Sequence, residues 1–196
     1  MPDIFFLCPD MDVPSGGVKV LYRHAEILTR NGVAASVLHH RRGFYCPWFK
    51  SSARVAYIAD SPIRKGDWLV VPEILAEEAT GKWKGIRKVI FTQNPYLTFS
   101  RSAVGGKRNG SPLRDPDVAC VMVISEDSNR YMRYAFPNLE VLWVRLGIDA
   151  SLFAYQPRKR RQIAFMPRRL LEDAVQVTEI LRLRGTLKDF EIVPIQ

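Results

Sequence analysis

The sequence predicts an α/β protein built on a doubly wound parallel sheet, and three observations predict it. Short, continuous apolar runs recur along the chain, as strands covered on both faces require. Helical stripes lie between them, the first made by Val18, Leu21, Tyr22, Ala25 and Leu28. The runs also end in glycine, proline or polar residues at a spacing that alternates strand with helix.

Ile4-Phe5-Phe6-Leu7-Cys8 reads as the first strand. Pro14-Ser15-Gly16-Gly17-Val18 follows as a loop, and the helical run extends from Lys19 to Asn31. Backbone N–H groups and the positive end of the helix dipole meet at the two glycines, where no side chain blocks an approaching anion. A purely structural tight turn would use the same pair. Asn31-Gly32 suits a left-handed C-cap.

Val33 to Leu38 reads as the second strand, ending at His39-His40. Adjacent strand residues point to opposite sides, so these histidines cannot chelate one metal together. The segment Arg41 to Lys50 carries Phe44, Tyr45, Trp48 and Phe49 without a clear period. It fits the lining of a cleft and a cover over the sheet edge equally.

Val55 to Ile58 is a weak strand and Asp67 to Val71 a strong one, after which Pro72-Glu73 opens a short helix to Ala79. The next strand, Arg87 to Thr92, delivers Gln93-Asn94-Pro95-Tyr96 at its carboxyl end, the edge where open parallel sheets bind ligands. Ser102 to Pro116 is rich in glycine, serine, proline and basic residues, and has the composition of a mobile loop. Val118 to Ile124 is a buried strand. Ser125 then caps a helix whose first turn holds Glu126 and Asp127. Val141 to Val144 forms another strand, before Leu146-Gly147-Ile148-Asp149.

Tyr155-Gln156-Pro157, followed by Arg158-Lys159-Arg160-Arg161, reads as a linker. Beyond it come a strand from Gln162 to Met166, a loop at Pro167-Arg168-Arg169, a helix closed by Gly185, and a strand from Phe190 to Ile195. A lone β-α-β unit cannot bury its own apolar face. Residues 158–196 are therefore expected to pack on the first domain, to pair with a second copy as a homodimer, or to belong to a longer protein.

Length and composition limit the function classes. With 196 residues, 47% of them hydrophobic and 25% charged, the chain has enough material for one good-sized core. The net charge of +9 asks for an anionic partner. Nucleotide phosphates or anionic lipid headgroups would satisfy it, with peripheral membrane contact as one expectation. No zinc finger, helix-turn-helix spacing or RNA-binding aromatic motif favours nucleic acid. Cys8 and Cys120 lie inside apolar runs and read as buried small hydrophobes, while Cys46 sits in a loop with no evident partner. The amino terminus lacks a signal-peptide pattern, and no stretch approaches the roughly 20 apolar residues of a membrane span. The reading is a reduced, cytoplasmic protein.

Several enzyme classes drop out. Ser15-Gly16-Gly17 is not the G-x-G-x-x-G of dinucleotide binding, and no acidic residue ends the second strand to hold a ribose. Neither a P-loop Gly-Lys-Ser/Thr nor a Gly-x-Ser-x-Gly nucleophile elbow occurs.

Three stretches together resemble the GT-B glycosyltransferases, specifically the retaining group 1 family that uses nucleotide-sugars. They are Ser15-Gly16-Gly17-Val18 with its helix and Asn31-Gly32-Val33, then Ile124-Ser125-Glu126 at a strand–helix junction, then Leu146-Gly147-Ile148-Asp149 with Leu152-Phe153. The resemblance implies that residues 1–155 form a Rossmann-like acceptor-side domain. Residues 156–196 would be the linker and first β-α-β unit of a truncated donor domain, with little transferase activity in this chain alone. Ser15, Gly16 and Gly17 would face the donor phosphate or the acceptor, and Gln93, Asn94, Ser125 and Glu126 would line the cleft. Arg168, with Arg169 beside it, would meet the donor diphosphate, which a planar guanidinium suits. Gln93-Asn94 stand where the family commonly has a histidine, so no catalytic residue carries over. Without an Asp-x-Asp, neither a metal nor a cofactor is implied. The acceptor would be a saccharide, a lipid or a polymer. A non-catalytic module binding an anionic ligand is the alternative.

Overall fold

The first strand, β1 (Ile4–Leu7), is built from residues that leave no polar face. Phe6 points into one apolar cluster, while Phe5 and Leu7 point into another. The same division holds along β2 (Ala35–His39), β4 (Trp68–Pro72) and β5 (Arg87–Thr92). Val37, Val70 and Phe91 join Phe6 on one side, and Leu38, Leu69, Val71 and Ile90 join Leu7 on the other. Two buried faces explain why these strands read as unbroken apolar runs rather than alternating ones.

The computed structural model describes residues 2–60, 63–99, 111–166 and 171–195. The chain divides into two units, Met1–Leu146 and Gly147–Gln196. In the first unit, β3 (Val55–Tyr57), β6 (Val118–Val123) and β7 (Val141–Trp143) complete a sheet of order β3-β2-β1-β4-β5-β6-β7. Every pairing is parallel. The fold class is therefore α/β with a doubly wound, Rossmann-like parallel sheet. The chain winds outward through β2 and β3, returns to the far side of β1 with β4, and winds outward again. That reversal puts the topological switch point between β1 and β4.

Helix α1 (Gly16–Arg30) lays Val18, Leu21, Tyr22 and Ala25 on one face of the sheet. It starts three residues before Lys19, the start read from the sequence, so both glycines lie in its first turn rather than in a loop. Ser15 is extended (φ −141°, ψ 120°), and its carbonyl already accepts from the Lys19 N–H at 3.1 Å, which fixes the start. Asn31 Nδ2 caps the carbonyl of Ile27 at 2.8 Å, and Gly32 takes the left-handed φ of 79° that ends the helix. On the opposite face, α2 (Ala76–Lys82) and α3 (Glu126–Ala135) supply Ala76, Ala79 and Met132 to the core, and Phe136, which caps the end of α3, joins them. The helix expected from Glu73 opens as a 3-10 turn, Glu73–Leu75, before α2 begins.

The aromatic loop packs over the core. Phe44 is buried, Trp48 and Phe49 are half-buried, and the Phe49 ring meets Tyr22 edge-on at 5.0 Å. Only Tyr45 of the four aromatics stands exposed. Cys46 is a free thiol buried in this cluster beside Tyr22, and Cys8 and Cys120 are buried as expected. Much of the basic loop, residues 100–110 with Arg101, Lys107 and Arg108, lies outside the described residues. Its end, Pro112–Arg114, forms a 3-10 turn that carries Leu113 into the core.

In the second unit, β8 (Gln162–Phe165) pairs in parallel with β9 (Glu191–Pro194), joined through α4 (Leu171–Leu183). No described residue of α4 is buried, and Val175, Val177 and Ile180 are more than half exposed. A two-stranded sheet offers too little area to cover them. Among the described residues, no helix is long and apolar enough to cross a membrane.

Candidate functional site

The carboxyl ends of β1, β4 and β5 meet the start of α1 at the switch point, and the backbone there is tied together by side chains. Gln93, just past β5, donates from Nε2 to the Gly17 carbonyl at 3.2 Å. A Cβ on Gly17 would stand 3.2 Å from Gln93 Oε1, so glycine is what lets the two elements touch. Gly16 differs: a Cβ there would meet nothing within 4 Å, and its φ is not positive. Neither packing nor conformation demands a glycine at that position.

Glu73, at the end of β4, closes the arrangement from the other side. Its Oε1 accepts from the Asn94 N–H at 2.9 Å and its Oε2 from the Gln93 N–H at 3.2 Å. Burial pushes its carboxyl above the usual carboxylate range, against those two N–H groups, which pull it down. No cationic side chain among the described residues pairs with it. Asn94 caps the next turn, its Oδ1 accepting from the Tyr96 N–H at 3.2 Å. Tyr96 then donates to Asp127 Oδ2 at 2.8 Å and packs edge-on against Tyr131 at 5.2 Å, linking this turn to α3.

Ser125 and Glu126 lie one strand farther out, after β6. Ser125 Oγ accepts from the Ser128 N–H at 3.1 Å, the N-cap bond expected of it. Glu126 is exposed and pairs with Arg130 one turn along the helix. Replacing Ser125 with alanine should therefore cost about 1 kcal/mol of stability in urea unfolding. Arg168 and Arg169 lie outside the described residues.

On the α1 side of the switch point, Asp10 and His39 tie the ends of β1 and β2 together. Asp10 Oδ1 meets His39 Nδ1 at 2.7 Å, and the carboxylate also accepts from the His40 and Arg41 N–H groups at 3.3 and 2.7 Å. His39 Nε2 lies 2.6 Å from Tyr22 Oη. Burial lowers the pKa of His39, outweighing the opposing pull of Asp10, so the imidazole is neutral. The neutral ring then donates from Nδ1 to Asp10 and accepts at Nε2 from Tyr22. Burial raises the Tyr22 pKa far above its ordinary value, so that proton stays in place. This chain is a strut rather than a proton relay.

Composition and motif did not single out Glu73, Asp10 or the role of His39. Part of the signal for Glu73 is in the sequence, an acidic residue directly after a buried strand; that this strand end lies at the reversal of strand order is seen only in the fold. At the amino-terminal ends of the strands, an open groove between Leu113, Val118, Phe136 and Leu139 holds no comparable cluster. The Asp115 carboxylate at its rim is paired with Lys84 at 3.2 Å.

No family model matches the chain, and no curated protein matches it in sequence. Among solved structures, the chain is similar to Phytolacca americana UGT2 complexed with UDP-2fluoro-glucose and pterostilbene. The TM-score is 0.45 and the identity 10%, over 100% of this chain and 72% of that one.

Proposed function

We propose that the first unit is the acceptor-side half of a glycosyltransferase that uses a nucleotide-sugar donor. The sugar would pass to a saccharide, lipid or polymer acceptor on the cytoplasmic side. Arg168 and Arg169 would offset the diphosphate charge as the leaving group departs. The observation that carries this reading is Gly16. A glycine in a helix's first turn, with open space around its missing Cβ and no conformational need for it, leaves backbone N–H groups open to a ligand at the positive end of the helix. The sequence motifs at two strand–helix junctions and at the exit from the last strand of the first unit support the same reading.

The test is nucleotide binding by the whole chain, measured by saturation-transfer NMR with UDP, UDP-glucose and GDP-mannose. Gly16→Ala should raise stability by about 0.4–1 kcal/mol, since alanine tolerates the helical backbone and narrows the unfolded ensemble. The same variant should weaken nucleotide binding at least about tenfold, a change of roughly 1.4 kcal/mol. A chain that ignores all three nucleotides yet is retained on anionic vesicles or polymers would overturn the transferase reading in favour of a binding module.

A further inference from the structure

We propose that Glu73, Gln93 and Asn94 form a binding site for the hydroxyl groups of a neutral polyol, the acceptor saccharide of the transfer reaction, with Glu73 receiving a ligand hydroxyl. The proposal rests on reading the crevice as that of a transferase, and it adds the chemistry of the acceptor and a residue to recognise it.

The argument is one of unspent hydrogen-bonding capacity. A carboxylate has about four acceptor sites, and Glu73 uses one on each oxygen for the Gln93 and Asn94 N–H groups. Those bonds fix the carboxylate's orientation, and even with Glu73's own N–H against it the carboxylate keeps acceptor capacity for a ligand hydroxyl. Gln93 spends one of its two amide N–H groups on Gly17 and keeps Oε1 as an acceptor. Asn94 commits its Oδ1 to Tyr96, which leaves Nδ2 as a donor. A fixed array of acceptor, acceptor and donor matches neighbouring hydroxyls, each of which both donates and accepts.

The charge of the site separates this ligand from a phosphate. Glu73 has no cationic partner among the described residues, so an anion placed against it would be repelled. Gln93 holds the first turn of α1 through the Gly17 carbonyl, and the amino end of that helix favours an anion where Glu73 does not.

The experiment applies the 196-residue chain to a printed array of neutral and acidic oligosaccharides, with UDP binding measured in parallel by saturation-transfer NMR. The wild type should retain neutral glycans over acidic ones. Glu73→Gln should lose at least about tenfold in glycan retention with UDP binding within about twofold of wild type. Asn94→Asp keeps an oxygen to cap the Tyr96 N–H but exchanges the free donor for a negative charge beside Glu73, so it should lose glycans to a similar degree while remaining folded. Undiminished glycan retention by both variants would overturn the proposal, as would a preference for acidic glycans. It would equally fall if the wild type bound UDP but no glycan. Selective glycan retention without UDP binding would support the hydroxyl site and remove the transferase reading alone.

Discussion

Replacing Lys88 with alanine is expected to destabilise the first unit by about 3–5 kcal/mol. Lys88 lies within β5 and its side chain is wholly shielded from solvent. The ammonium donates to the Trp83 and Ile86 carbonyls at 2.6 and 2.9 Å, and lies 3.5 Å from Asp117 Oδ2. A buried charge persists only when paired and hydrogen-bonded, and here two carbonyls and a carboxylate supply that. Alanine would leave a cavity the length of the side chain and strand both carbonyls. Lys88→Met restores most of the volume but not the donor, so it should cost only about 1–3 kcal/mol. Urea unfolding of both variants separates the two contributions. A cost for Lys88→Ala below about 1 kcal/mol would mean that water replaces the ammonium freely and that the buried ion has no structural role.

The second large effect is at His39. His39→Leu fills the space but removes the nitrogen acceptor of the buried Tyr22 hydroxyl, leaving it only the Cys46 thiol, and removes one partner of Asp10, for an expected loss of about 2–4 kcal/mol. Tyr22→Phe leaves only the His39 Nε2 unpartnered and should cost about 1–3 kcal/mol. The pH dependence gives an independent check. Burial holds the folded-state pKa of His39 below the ordinary value of 6.5, and burial lowers His24 as well. The unfolded chain therefore binds more protons below about pH 6.5 than the folded one. Stability from these groups is fully present above that pH and is lost as pH falls toward the folded pKa values. Unfolding free energy measured from pH 7.5 to 5 should decline for the wild type, and His39→Leu should flatten that decline. A wild-type curve that rises on acidification would show that His39 is stabilised as a cation by Asp10.

Much of the first unit was legible in sequence because its physics is local. The run Val89-Ile90-Phe91 has no polar face, which a strand tolerates only when covered on both sides, and it does sit near the centre of the sheet. The Asn31-Gly32 stop and the Ser125 cap are chemical devices that act within one turn, so they could be read from neighbouring residues. The start of α1 was harder. Gly16 and Gly17 have low helix propensity, and only the backbone at Ser15 draws them into the helix.

Sequence by itself determined the alternation of strand and helix, the parallel class of the sheet, and the placement of Gln93 and Asn94 at a strand's carboxyl end. Only the tertiary structure decided which ends meet. Glu73 and Gln93 are separated by an entire helix in the chain, and Gly17 is farther still. They touch because the strand order reverses at β1, which sets β4 beside β1 and β5 beside β4. Strand order is a long-range choice, set by which apolar faces bury each other, and no local pattern encodes it. For the same reason His39 and Tyr22 read in sequence as a strand end and a stripe residue, and only the fold brings them, with Asp10, within hydrogen-bond distance.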